Sequence, residues 1–216
     1  MMWMGQHQPT QANFSHLMKQ VNENSVSYVS PDASLLQALL PTARRIFTDT
    51  FASLYDREAF EAFCDQVYAV DGSMSKDFSD PAVRWRVAIS KGEPIGYAKL
   101  TPLRAPALNP SPNALELQQI YVLSDWHGTG VAQELMAWVI STASGLGSEE
   151  LYLTVFDHND RAKRFYGRCG FHEVGRCTFT LGDRIDDDRI WCKPLAGTSN
   201  SFKPPPLRSA VRSGDC

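Results

Sequence analysis

The segment His127-Gly128-Thr129-Gly130-Val131-Ala132 stands between a strand-like run, 115–123, and a helix-like run, 131–142. Few arrangements satisfy such a turn. Glycine has no Cβ, so two glycines let the backbone come close to an anion. The helix behind them offers unpaired N–H groups and the positive end of its dipole to the same point. The loop therefore reads as a phosphate cradle in a strand–loop–helix unit.

A second segment, 159–166, reads Asn-Asp-Arg-Ala-Lys-Arg-Phe-Tyr and is followed by Gly170-Phe171. On a helix, Asn159 and Tyr166 lie two turns apart on nearly one face, with the small Ala162 between them, so a ligand could pass. Together the two segments resemble the GCN5-related N-acetyltransferase (GNAT) family. Its signature joins Gln/Arg-x-x-Gly-x-Gly/Ala to Asn-x-x-Ala-x-x-Phe-Tyr-x-x-x-Gly-Phe. The resemblance covers residues 26 to 194. One position departs: His127 stands where the family usually has Arg or Gln, which weakens a side-chain contact to a pyrophosphate and leaves the backbone cradle intact.

The charge balance limits the partners. With 21 Lys plus Arg against 24 Asp plus Glu, the net charge is −3, and no basic face for nucleic acid is expected. No apolar run approaches the ~18 residues of a membrane span. The chain holds 5 cysteines, an odd count without a Cys-x-x-Cys pair, which reads as reduced thiols in a cytoplasmic protein. His158 and His172 lack metal-ligand spacing and read as structural or surface residues, so no metal site is expected.

Residues 1–24 are polar and aperiodic and are expected to be a disordered tail, as are the Pro- and Ser-rich residues 196–216. Between them, 25–195 reads as one acetyltransferase domain. A strand at 25–29 precedes a helix capped by Asp32. Pro41 opens a second helical stretch, and a third runs from Arg57 to Val70. Residues 71–82 read as a loop. Strands follow at 83–90, 95–102 and 115–123, then the helix from Val131, a strand at 151–156, a helix at 159–168, and strands at 171–181 and 189–193. The order matches an α/β (α+β) GNAT fold: a mixed, mostly antiparallel sheet of seven strands flanked by helices.

The resemblance implies a function and a site. The function is acetyl transfer from acetyl-CoA, as cosubstrate, to an amine. The end of the strand before the loop, Ile120, Tyr121 and Val122, pairs its backbone with the pantetheine amides. Residues His127, Gly128, Thr129, Gly130, Val131 and Ala132 hold the pyrophosphate. Ala162 lines the pantetheine path, and Asn159 either caps its helix or bonds the pantetheine arm. Tyr166 matches the family's general acid for the departing thiolate. Glu116, eleven residues before His127, matches a general base used by several members, against an ordinary salt-bridged carboxylate. Alternation sets Glu116 on the face of Gln118 and Ile120. One of Lys163, Arg164 and Arg168 could reach the 3′-phosphate, or all could be a solvated helix face.

Two stretches, 47–55 and 179–191, resemble PaiA-type spermine/spermidine acetyltransferases, as does Gly96-Tyr97-Ala98-Lys99-Leu100. A polyamine would want carboxylates, for which Asp49, Asp183, Asp186, Asp187 and Asp188 are candidates, although Asp186, Asp187 and Asp188 read more readily as turn residues facing water. The leading reading is thus a small-molecule amine N-acetyltransferase, with polyamines as one substrate class and a homodimer left open. A protein or peptide N-acetyltransferase and a non-catalytic acetyl-CoA-binding module are the alternatives.

Overall fold

The computed structural model describes residues 25–195, so both tails lie outside the described residues. Strand β1 (Val26–Val29) leads into helix α1 (Ala33–Phe51), a short 3-10 turn, α2 (Arg57–Tyr68) and α3 (Ser73–Ser79). Strands β2 (Arg84–Ser90), β3 (Glu93–Pro102) and β4 (Leu115–Val122) follow. Then come α4 (Val131–Gly145), β5 (Glu150–Phe156), α5 (Asp160–Arg168), β6 (His172–Leu181) and β7 (Arg184–Pro194).

Two helical expectations are corrected. Pro41 does not open a new helix; it lies inside α1, which runs unbroken to Phe51. An interior proline removes one backbone hydrogen bond and crowds the preceding turn, at a cost of about 3 kcal/mol. Here Leu36, Leu39 and Leu40 before it and Ala43, Ile46 and Phe47 after it are buried on one stripe, so both halves are held to the same surface. The start of α1 is fixed by Asp32, which accepts from Leu35 N–H at 2.8 Å. The second correction is α3, inside the stretch read as loop. Its seven residues carry Met74, 1% exposed, and Phe78 four positions on. That is too short a stripe to register as periodicity.

The seven strands form one sheet in the order β1-β2-β3-β4-β5-β7-β6. Every pairing is antiparallel except β4 with β5. Helices α1, α2 and α3 pack one face around Trp85, Val87, Tyr97 and Leu181. Helix α4 packs the other face around Ala88, Ala98, Leu100 and Leu153.

Two irregularities in β4 build the site. Strands β4 and β5 pair only at Leu115–Leu151 and Glu116–Tyr152, after which they splay and the β5-facing edge of 118–122 is left without a strand partner. On its other edge, β4 pairs with β3 throughout, but the register jumps from Leu100–Leu117 to Lys99–Gln119. Gln118 is thus the extra residue of a β-bulge. The bulge inverts the alternation expected from sequence. Leu117, Ile120 and Val122 join the α4-side core, whereas Tyr121 packs with Tyr97 on the other face. Glu116 therefore shares its side with Gln119 and Tyr121, not with Ile120.

Candidate active site

The splay makes a hole through the sheet. A cleft of about 530 Å³ runs through it, lined from one side by Asn159, Ala162 and Tyr166 of α5. From the other side it is lined by Phe47 and Phe51 of α1 and by Phe63 of α2. Its walls are β4 (Glu116, Gln118, Gln119, Tyr121) and β5 (Thr154, Val155, Phe156).

At the mouth of the splay, β4 runs through a 3-10 turn, Ser124–Trp126, into the glycine loop. Gly128 has φ 79° and Gly130 φ 96°, both in the left-handed region that glycine enters without strain. A Cβ built on either would meet nothing within 4 Å, so the space above both is open. Gly130 is also the N-cap of α4, with no side-chain cap, so the first N–H groups of the helix point to that space unsatisfied by a capping side chain. The loop fits a pyrophosphate. The Thr129 hydroxyl donates to Trp126 O at 2.8 Å and is spent on the turn. The His127 ring Nε2 lies 2.9 Å from Val122 O. This is a role the sequence did not reveal: the imidazole ties the loop back to β4.

Helix α5 begins at Asn159, whose Oδ1 accepts from Ala162 N–H at 3.0 Å. The side chain is a cap, and only its amide hydrogens remain for a ligand. Tyr166 is half-buried and packs against Phe165 (5.6 Å) and Phe171 (6.0 Å). Burial holds its phenol well above the usual range, so it stays protonated at neutral pH. Among the described residues no partner reaches its hydroxyl. Lys163 is held by Asp157 and Asp160, whereas Arg164 and Arg168 remain exposed.

Three carboxylates line the cleft: Asp77, Glu116 and Asp188. Asp77 binds Lys99 Nζ at 2.7 Å and both terminal nitrogens of Arg104, which hold its carboxyl below the ordinary range against the opposing effect of burial. Glu116 is 4% exposed, and its Oε2 accepts two backbone bonds of 2.8 Å, from Arg104 and Ala105. Asp188 differs: among the described residues no hydrogen-bond donor or basic group reaches it. Burial, then the neighbouring Asp186 and Asp187, pushes its carboxyl up to about 6. Two of the acidic residues expected to face water do not. Asp186 is 5% exposed and bonded by the Tyr55 hydroxyl and Arg184, and Asp188 lines the cleft. Asp187 is exposed as expected; Asp183, a candidate carboxylate for the amine, is exposed too and lies outside the cleft lining, and Asp49 pairs with Arg45 along α1.

Residues 40–171 match the acetyltransferase (GNAT) family. The chain belongs to that family. An uncharacterised N-acetyltransferase of Mycobacterium bovis is 34% identical over 117 residues, covering 54% of this chain and 70% of the relative. Another, from Lactobacillus delbrueckii subsp. lactis, is 26% identical over 160 residues, 74% of this chain and 92% of that one. Among solved structures, the PaiA N-acetyltransferase of Thermoplasma acidophilum in complex with coenzyme A superposes with a TM-score of 0.64 at 21% identity, covering 79% of this chain and 99% of that one. The ribosomal-protein-S18-alanine N-acetyltransferase of Escherichia coli gives 0.58 at 16%, covering 83% and 99%. These two share the fold.

This GNAT chain is an acetyl-CoA-dependent N-acetyltransferase. The residues present fit the cosubstrate on two structural grounds: the open, uncapped glycine cradle, and the strand edge of 118–122 left without a partner strand. A third point agrees: Gln118 Oε1 is buried with no donor. The fold gathers Glu116, Tyr121, Asn159, Ala162 and Tyr166 around one cleft, and sets Ile120 and Val122 with their side chains in the core, leaving backbone as what they can offer. Sequence reading named Asp188 as one of five candidate carboxylates but favoured a solvent-facing turn for it, whereas it lines the cleft. Its only local signal is an acidic run, 186–188, which resembles a solvent-facing turn. No helix among the described residues is long and apolar enough to cross a membrane.

Proposed function

We propose that the acceptor is a primary amine of a small molecule. The observation that carries this is the shape of the cleft. Its volume of about 530 Å³ lies in the range of small-molecule sites, ~300–1,000 Å³, and part of it belongs to the α5 side. The aromatic side chains of α1 and α2 wall the other end, where a peptide acceptor would need an open, extended groove. Spermine- and spermidine-type polyamines fall within this class, and the local PaiA-like stretches support including them.

Acetyl-CoA brings an acyl carbon activated as a thioester. The chain's residues do the rest. The N–H groups at Gly128, Gly130, Val131 and Ala132 bind the pyrophosphate, with Thr129 shaping the turn and His127 bracing it against β4. The backbone of Ile120, Tyr121 and Val122 pairs with the pantetheine amides along the open strand edge. Ala162 leaves room beside them, and the Asn159 amide hydrogens donate to the arm. Tyr166, kept protonated by burial, gives its proton to the departing sulphur. Glu116 clamps the 103–114 loop to the cleft wall with Oε2 and keeps Oε1 as an acceptor for an amine N–H.

The test is thiol release from acetyl-CoA over a panel of small amines and of peptides with free N-termini. Turnover confined to peptides would replace this reading with the peptide one. Binding of acetyl-CoA without turnover of any acceptor would favour the non-catalytic module.

A further inference from the structure

We propose that Asp188 receives the acceptor ammonium and takes its proton, and that the acceptor is a monoamine carried on an apolar body. The inference rests on the small-amine reading above and narrows it.

The geometry argues by elimination. An ammonium entering a half-dry cleft needs a counter-charge. Asp77 is neutralised by Lys99 and Arg104, and Glu116 has one oxygen held by two backbone donors. Asp188 alone of the three has both oxygens unengaged among the described residues. It stands on β7 opposite Phe156 of β5, at the far wall of the splay, and opposite Cys177 of β6. The titratable groups around it are Asp186 and Asp187 on its own strand, Cys177 across from it, Tyr121 from β4 and Tyr55 before α2. None is a cation. Its charge is felt at Tyr121, whose hydroxyl is pushed up to about 12, chiefly by burial and secondarily by Asp188. Tyr121 in turn acts on Tyr166. Asp188, Tyr121 and Tyr166 thus span the cleft from acceptor side to α5 side.

One wall of the acceptor end is aromatic, whereas Gln66, Ser73, Asp77, Lys99 and Arg104 line the other. Phe47 lies 5.4 Å from Phe63, and Phe63 meets Phe179 edge-on at 5.7 Å; all three line the cleft. A single ammonium at Asp188 leaves the remainder of the molecule against these rings. A second ammonium set against these rings would recover only part of its lost hydration through a cation–π contact, which favours an acceptor with one ammonium.

The protons balance as follows. The ammonium gives one proton to Asp188, and the freed lone pair forms the N–C bond as the C–S bond breaks toward sulphur. Sulphur takes the Tyr166 proton, and the second proton shed by nitrogen restores Tyr166. Asp188 releases its proton to solvent, so ammonium and thioester become amide, thiol and one proton. A carboxyl raised toward neutrality is a stronger base for the first step, and desolvation weakens the ammonium's hold on its proton.

The experiment is steady-state kinetics on the full chain with 2-phenylethylamine, spermidine and a tetrapeptide. The wild-type enzyme and Asp188→Asn are compared, with acetyl-CoA affinity and melting temperature measured for both. The expected result is kcat/KM for 2-phenylethylamine at least tenfold above spermidine, and rising with pH through an acid limb near 6. Asp188→Asn should lose that limb and about 10²-fold in rate while binding acetyl-CoA as before. Preference for spermidine, or an Asp188→Asn enzyme with wild-type rate and limb, overturns the inference and leaves the small-amine reading standing. Turnover of the peptide alone sinks both. If the variant fails to fold, the wild-type preference and acid limb still decide.

Discussion

Replacing Tyr166 by Phe should separate chemistry from packing at one atom. The ring touches Phe165 and Phe171, and Phe keeps both contacts. The hydroxyl has no partner among the described residues, so its removal strands no donor or acceptor. Stability should therefore change by less than ~0.5 kcal/mol, the scale of a substitution that breaks no named interaction. Tyr166→Ala, by contrast, would lose a half-buried ring and cost roughly 2–3 kcal/mol, somewhat below the usual range for a fully buried aromatic. If the hydroxyl protonates the departing sulphur, kcat should fall by at least ~10²-fold, or about 2.7 kcal/mol of barrier, with KM little changed. The sign of the phenol's shift constrains the pH profile too. Burial raises it above its ordinary 10, so it holds its proton through pH 9, and no alkaline loss of rate in that range belongs to it. A phenol that weak can protonate a thiolate, ~8.5 in water, only because the same dry site raises the thiol as well. The donation must then accompany C–S cleavage. Stopped assays of wild type and Tyr166→Phe at matched acetyl-CoA suffice. A kcat within threefold of wild type would refute the reasoning.

Gly130→Val should raise the coenzyme A dissociation constant at least tenfold in calorimetry. A β-branched residue at φ 96° is strained, and its side chain occupies the space over the cradle; equal affinity would mean that the pyrophosphate lies elsewhere. Asn159→Ala should lower the melting temperature by a few degrees, since an N-cap contributes about 1 kcal/mol, and an unchanged melt would show that the Ala162 bond is dispensable. Asp188→Asn should stabilise the chain at pH 7 but not at pH 4. The folded carboxyl titrates near 6 instead of 3.8, so its contribution is full below about 4 and is lost as pH rises through 6. Discounted for partial exposure, the gain is roughly 1–2 kcal/mol, and a wild-type-to-variant gap in melting temperature that stays flat with pH would contradict it.

What the sequence made legible is what local chemistry dictates. The glycine loop, the Asn159 start of α5 and the Asp32 start of α1 each depend on a few adjacent residues, and each lies where it was expected. The face of Glu116 was not legible. Strand alternation assumes one residue opposite one, and the extra residue at Gln118 is defined only against β3. Pro41 misled for a related reason: its local penalty is outweighed by burial against a surface assembled from distant strands. Asp188 was hidden because Asp186, Asp187 and Asp188 look alike in the chain. The period of two sends Asp187 to solvent and the other two inward, and only the partners distinguish those. Asp186 meets Tyr55 and Arg184, and Asp188 meets the cleft.

The unpaired edge of β4 ties these features together. An open strand edge in mid-sheet invites another strand, which sheets usually prevent by covering or charging the edge. Here the opening is bounded by β5 on the far side and by α5 and the α1–α2 pair above and below. A whole strand is thus excluded, but an extended chain with amides of its own can enter. The bulge at Gln118 sits where the splay begins, so it marks the point at which β4 stops serving the sheet. Before it, Glu116 fastens the neighbouring loop and β5 is still paired. After it, Gln119 and Tyr121 line the cleft while the backbone edge stays bare. One inserted residue thus separates the structural half of the strand from the half left for ligand. The direct probe is deletion of Gln118. It should restore simple alternation with Gln119 and Tyr121 kept on the cleft side, flatten the strand at the start of the splay and weaken acetyl-CoA binding. A deletion variant that folds and binds acetyl-CoA normally would show that the splay alone makes the site.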